Sequence, residues 1–160
     1  FAEDIHRRVS GKLASEPVED YRIDFEDGFG IHADAVEDAE VMRCADATVA
    51  AMRAESLSPS FGIRVKPLTR DLAARALQTA DLFIQSVVSG SGGSLPDNFI
   101  VTLAKVTVTE QVAYFARHLE TLERRLELPE GALRMEIMVE TPRAVMDWEG
   151  RCPQTRLRNL

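Results

Sequence analysis

Cysteine is scarce in this chain: Cys44 and Cys152 are the only two, and they lie far apart. That spacing supplies neither a CxxC metal pair nor the disulfide framework of a small secreted domain, so a reducing cytoplasm is the expected setting. Long apolar runs are missing as well. No stretch approaches the ~20 residues of a membrane helix and the N-terminus has no apolar signal region, so no membrane partner is expected. Positive charge is in deficit, with 19 Lys and Arg against 26 Asp and Glu and a formal net charge of -7. No basic block offsets the repulsion from phosphates, which argues against nonspecific nucleic-acid binding. The one low-complexity stretch, "SGSGGSLPDN" from residue 89, has neither GxxxxGK[ST] nor GxGxxG and reads as a mobile connection. His6, His32 and His118 lack the spacing of zinc ligands, and Ser10, Ser60 and Ser94 lack a nucleophile-elbow context.

What is present suits one soluble globular domain spanning residues 1–160, 45% hydrophobic and 28% charged, long enough to bury a core. Residues 2–15 form a weak amphipathic helix that Gly11 is expected to interrupt. "YRIDFED" reads as a strand leaving its acids at the carboxyl end, and the Ala-rich residues 34–55 suit a long helix that takes Cys44 into the core. In "FGIRVKP", Phe61, Ile63 and Val65 alternate before Pro67 stops the ladder. A helix is expected from Pro67 to at least Asp81, and "FIVTLAKV" is apolar enough for a strand buried on both faces. The clearest helix covers 107–131, where Val108, Val112, Phe115, Leu119, Leu122 and Leu126 recur every three or four residues. Thr109 is its expected cap, Pro129 and Gly131 its end, and His118 its solvated side. "ALRMEIMVE" is another strand, and "TPRAVMDWE" opens a helix with Pro142 at a tolerated early position. Trp148 either packs this last helix or covers a pocket. Strand and helix alternate strictly after the leading helix, which predicts an α/β architecture with a parallel sheet.

In parallel α/β folds, chemistry gathers where strand carboxyl ends and helix N-termini converge. By that rule Asp24, Glu26 and Asp27 close the first strand, Arg64 and Lys66 the second, Lys105 the third and Glu140 the fourth. From the residues alone, two readings stand. In one, the acids serve a hard cation such as Mg²⁺, which takes one or two carboxylates and keeps waters that further acids hold; Arg64 then offers a planar fork to a substrate carboxylate. In the other, "DFED" is a solvated turn with a helix cap, and Arg64 is its ion-pair partner. His32, just after the cluster, is a candidate base.

The motifs "RIDFEDG", "IRVKP", "TLAKV" and "IMVETPRAV", in this order between Tyr21 and Val145, resemble successive strand ends of the phosphoenolpyruvate/pyruvate-type (β/α)₈ barrels. The chain is most similar to the aldolase and citrate lyase β-subunit family, with malate-synthase-like features in "LELPEGALRMEIMVET". This resemblance implies that Glu140 binds Mg²⁺ or Mn²⁺ and that Arg64 holds the oxo-acid. It also implies that Asp24, Glu26 and Asp27 contact metal-bound water or the arginine, with Lys105 among the substrate-binding residues. Metal and arginine would then stabilise the enolate formed when a carbon–carbon bond breaks beside an oxo-acid.

The sequence departs from the family pattern at three points. Ala104 stands where a Pro-Lys pair has proline, Lys66-Pro67 stands where the lyases have asparagine, and nothing beyond Glu140 resembles the second metal carboxylate in its Gly-x-x-Asp loop. A complete barrel takes about 250 residues. The chain has 160 and begins at Phe1, so a partial barrel or fragment is expected. The expected activity is that of a metal-dependent lyase or aldolase on a small oxo-acid or its coenzyme A thioester, in a homo-oligomer such as a trimer or hexamer. The alternatives are a malate-synthase-like condensing enzyme and a non-catalytic barrel remnant used for binding or assembly.

Overall fold

The computed structural model describes residues 1–146 and 149–151. The expectations for Trp148 and Cys152 therefore lie outside the described residues. The elements alternate as the sequence predicts: α1 (Ala2–Ser15), β1 (Asp20–Asp24), α2 (Asp34–Arg53), β2 (Ser60–Val65), α3 (Ala73–Ser91), β3 (Phe99–Leu103), α4 (Thr109–Arg125), β4 (Arg134–Ile137) and α5 (Pro142–Val145). The four strands pair in parallel, in the spatial order β1-β2-β3-β4. The described residues thus form an α/β fold around one parallel sheet.

Alternation along the strands decides which side of the sheet becomes core. Odd-numbered residues, Ile23 and Phe25, Phe61, Ile63 and Val65, Phe99, Val101 and Leu103, Met135 and Ile137, belong to one apolar cluster with the helices. Even-numbered residues therefore face the other way. The registers align Asp24, Arg64, Thr102 and Glu136 in one row across the sheet, and Arg22, Gly62, Ile100 and Arg134 in the row below. One face is a hydrophobic floor for α2, α3 and α4. The other carries the polar groups.

The helices are held by their apolar stripes. In α4, Val112, Phe115, Leu119 and Leu122 are buried at the expected spacing, and in α3 the buried apolar set is Ala76, Ala80, Phe83, Ile84, Val87 and Val88. Phe83 stacks on Phe99 at a centroid distance of 6.1 Å and meets Phe25 edge-on at 6.3 Å, joining α3 to β3 and to the end of β1. By contrast, α1 buries none of its residues.

Several boundaries differ from the sequence reading. Gly11 does not interrupt α1, because one internal glycine costs only about 1 kcal/mol against alanine. β1 stops at Asp24, so Phe25, Glu26 and Asp27 of "YRIDFED" lie beyond the strand. α3 begins at Ala73, since Pro67 to Leu72 are taken up by a turn in which Thr69 accepts from Ala73 N–H; it runs to Ser91 and ends on Gly92 in the left-handed region. Thr109 is the first residue of α4, not its cap. Gln111 Oε1 reaches back to the N–H groups of Thr107 (2.9 Å) and Val108 (3.3 Å) instead. α4 closes at Arg125, before Pro129 and Gly131. His118 is not simply solvated: its Nε2 lies 2.6 Å from Asp81 Oδ1, tying α4 to α3.

Candidate functional site

Asp24 ends β1 and turns the chain. Its carboxylate accepts the N–H of Glu26 at 2.9 Å and of Gly28 at 3.1 Å, an Asx-type arrangement that lets the backbone leave the ladder. A Cβ on residue 28 would stand 2.7 Å from Asp24 Oδ2, so glycine at this position leaves room for the carboxylate. Asp24 also pairs with Arg64 Nη1 across the β1–β2 register at 3.4 Å.

The turn delivers the next two acids to one cation. Lys105 Nζ bonds to Glu26, which is buried, and to Asp27 Oδ1 at 2.6 Å, which is exposed. The hydrogen bonds that Lys105 donates to Asp27 and Glu26 hold its ammonium well above its usual range, and the bond to Asp27 is the main reason that Asp27 stays below the usual carboxylate range. Lys105 occupies the left-handed region, with φ of 49°, uncommon for a residue with a side chain. In that conformation its N–H donates to Glu140 Oε1 at 2.7 Å while its ammonium reaches back over β2. One residue therefore links the acids after β1 to the acid after β4. Thr141 secures the Glu140 segment, donating to Val106 O at 2.8 Å and capping α5 through Ala144 N–H at 3.2 Å.

Arg64 belongs to the polar row of the sheet, and its charge acts on Asp27 at the rim as well as on Glu136. Among the described residues, its Nε is the one buried side-chain nitrogen or oxygen with no hydrogen-bond partner. Glu136, at the far end of the row, accepts from Thr102 Oγ1 at 2.5 Å and from Arg22 Nε at 3.2 Å. Burial raises the Glu136 carboxyl, but the bonds from Thr102 and Arg22, with the charges of Arg22 and Arg64, outweigh it and leave the group below the usual range.

Asp24, Glu26, Asp27, Arg64, Lys105 and Glu140 are thus brought to one rim of the sheet. Lys66 is not at the rim surface but buried beneath it, 2.6 Å from Glu37. His32 is exposed, with Nε2 2.9 Å from Phe29 O and its ring against Phe29. Arg22, Thr102 and Glu136 belong to no motif that marks them in the sequence, although the alternation in "RMEI" already places Glu136 on the polar face of a strand. Cys44 is buried as expected, and burial pushes its thiol up. It borders a groove of about 780 Å³ on the helix side of β1, lined also by Tyr21, Ile23, Thr48 and Phe61, which includes none of the rim residues.

Among the described residues, no group of three or more His, Cys, Asp and Glu side chains is arranged to hold a metal ion. Lys105 occupies Glu26 and Asp27, and Arg64 and the turn occupy Asp24. The donor set fits a divalent cation only through Glu140, which has one oxygen on Lys105 N–H. Mg²⁺ can be held by a single carboxylate with waters and substrate oxygens completing its shell.

No curated protein matches the chain. Over residues 1–159 it matches the family described as a domain of unknown function (DUF6986), and the chain belongs to that family.

Proposed function

We propose that the rim binds a small oxo-acid and that the protein is a metal-dependent carbon–carbon lyase of the aldolase type, built on part of a (β/α)₈ barrel. The observation that carries this reading is Arg64: a guanidinium on the polar face of the sheet whose Nε lacks an acceptor. A buried donor left unpaired costs about 1–3 kcal/mol, which a carboxylate accepting from it would recover. A planar oxo-acid carboxylate suits the two-pronged fork. The strand order in sequence, with apolar residues on one face and charged ones on the other, supports the barrel.

In this reading Arg64 orients the carboxylate and Asp24 orients Arg64. The Lys105 ammonium, anchored by Glu26 and Asp27, places a second positive charge at the rim. When the carbon–carbon bond one carbon beyond the oxo group breaks, its electron pair passes into an enolate of the oxo-acid, while the hydroxyl on the departing carbon loses its proton to water and becomes a carbonyl; these fixed cations favour the negative charge on the enolate. Mg²⁺ or Mn²⁺ held at Glu140 would supply further charge stabilisation when bound.

Calorimetric titration with pyruvate and with oxaloacetate tests the reading, using the protein and its Arg64→Met variant. The expected result is saturable binding that Arg64→Met weakens by about tenfold or more, the worth of a charge-assisted hydrogen bond. Binding that Arg64→Met leaves unchanged removes Arg64 from the site. Absence of binding by the parent protein favours a non-catalytic barrel remnant used for assembly.

A further inference from the structure

Beneath the rim lies a buried polar network that the proposed reaction does not use. Lys66, just past the end of β2, is 3% exposed, and Glu37 on α2 is 0% exposed. Lys66 Nζ donates to Glu37 Oε2 at 2.6 Å and to the carbonyl of Phe25 at 2.7 Å, and it stands 5.5 Å from the Phe29 ring centroid. The other Glu37 oxygen accepts from Thr79 Oγ1 at 2.6 Å and pairs with Arg75 Nε at 3.4 Å; Arg75 continues to Asp38 at 2.6 Å. Every charge has a partner, as burial demands.

The Phe25 carbonyl is the informative contact. β1 has already ended at Asp24, so this carbonyl falls outside the strand ladder. Phe25 N–H donates to Arg64 O at 3.0 Å and Phe25 C=O accepts from Lys66, so the end of β2 grips both sides of the residue that precedes Glu26. Glu26 and Asp27 follow at once, and both bond Lys105. A continuous line therefore runs from α3 (Thr79) through α2 (Glu37) and Lys66 to the turn that presents the acids. The Lys66 cation supplies a donor at a point where backbone pairing offers none, which an apolar side chain of the same length cannot do.

We propose that Lys66, held by Glu37 and Thr79, is a positioning residue that fixes the Phe25–Asp27 turn so that Glu26 and Asp27 engage Lys105. This inference goes beyond the proposed lyase reading and stands whether or not the rim binds an oxo-acid.

The sequence contains three lysines, Lys12, Lys66 and Lys105, so amine acylation read by peptide mass spectrometry resolves each one. In Lys66→Met, the acylation rate of Lys105 relative to Lys12 is expected to rise roughly three- to tenfold, tenfold corresponding to about 1.4 kcal/mol of lost hold on the ammonium. Leu119→Ala, a core truncation on α4 outside the network, loosens the fold without touching the turn and is expected to leave the ratio unchanged. An unchanged ratio in folded Lys66→Met, or an equal rise in Leu119→Ala, overturns the proposal. If Lys66→Met does not fold, Thr79→Val takes its place, removing the hydroxyl that donates to Glu37 and accepts from Arg75 Nε at 3.2 Å. About a twofold rise then supports the proposal, and no rise overturns it.

Discussion

Arg22 on β1 donates to Glu136 on β4, Nε to Oε1 at 3.2 Å, so one ion pair bridges the two outer strands of the sheet over β2 and β3. Gly62 makes this crossing possible. It stands beside Arg22 in the register, and a Cβ there would lie 3.3 Å from Arg22 Cδ and only 1.9 Å from the carbonyl oxygen of Ile100. The second contact is with backbone, which cannot swing aside. Glycine inside a strand often marks such a close approach.

Gly62→Ala is accordingly expected to destabilise the protein by about 2–4 kcal/mol, although glycine to alanine in an unobstructed strand is favourable. Urea unfolding midpoints at neutral pH check this. A stability equal to or above that of the parent would show that the strands separate at no cost.

Glu136 carries a pH signature. Its folded carboxyl lies below the ordinary value of 4.5, so its contribution is fully present above about that pH and is lost as pH falls through the lower folded value. Glu136→Gln lacks this contribution at every pH. The stability difference between parent and Glu136→Gln is expected to shrink on going from about pH 6 to about pH 3. Parallel urea titrations at the two pH values measure it, and a difference that stays constant would contradict the assignment. The group is partly exposed, so the effect is expected to be modest and to fall with added salt.

Phe83 joins the core to the rim, since it touches Phe25, the residue before Glu26. It is fully buried, and Phe83→Ala is expected to cost about 3–5 kcal/mol by transfer and cavity formation together. Thermal and urea unfolding give the number. A loss below about 1 kcal/mol would mean that α3 closes over the gap.

Much of the fold was legible because it rests on local pattern. Ile63 and Val65 alternate as a strand must, and Phe115, Leu119 and Leu122 repeat as a helix must, so each element declares itself within its own segment. The strand-end rule then brought Asp24, Arg64, Lys105 and Glu140 to one rim without any knowledge of contacts. What escaped depends on partners distant in sequence. Lys66 gives no local sign of burial, because Glu37 and the Phe25 carbonyl lie 29 and 41 residues away. His118 sits among charges on α4 and is drawn in by Asp81 on α3. Lys105 reads as one more basic residue at a strand end until its left-handed backbone turns its N–H toward Glu140 and its ammonium toward Glu26.

The central claim, a rim built for an oxo-acid with a divalent cation at Glu140, is tested most directly by calorimetric Mg²⁺ titration in the absence and presence of pyruvate or oxaloacetate. The account predicts Mg²⁺ binding that the oxo-acid tightens and that Glu140→Gln weakens by about tenfold or more. Folded protein that takes up no Mg²⁺ under either condition would contradict it.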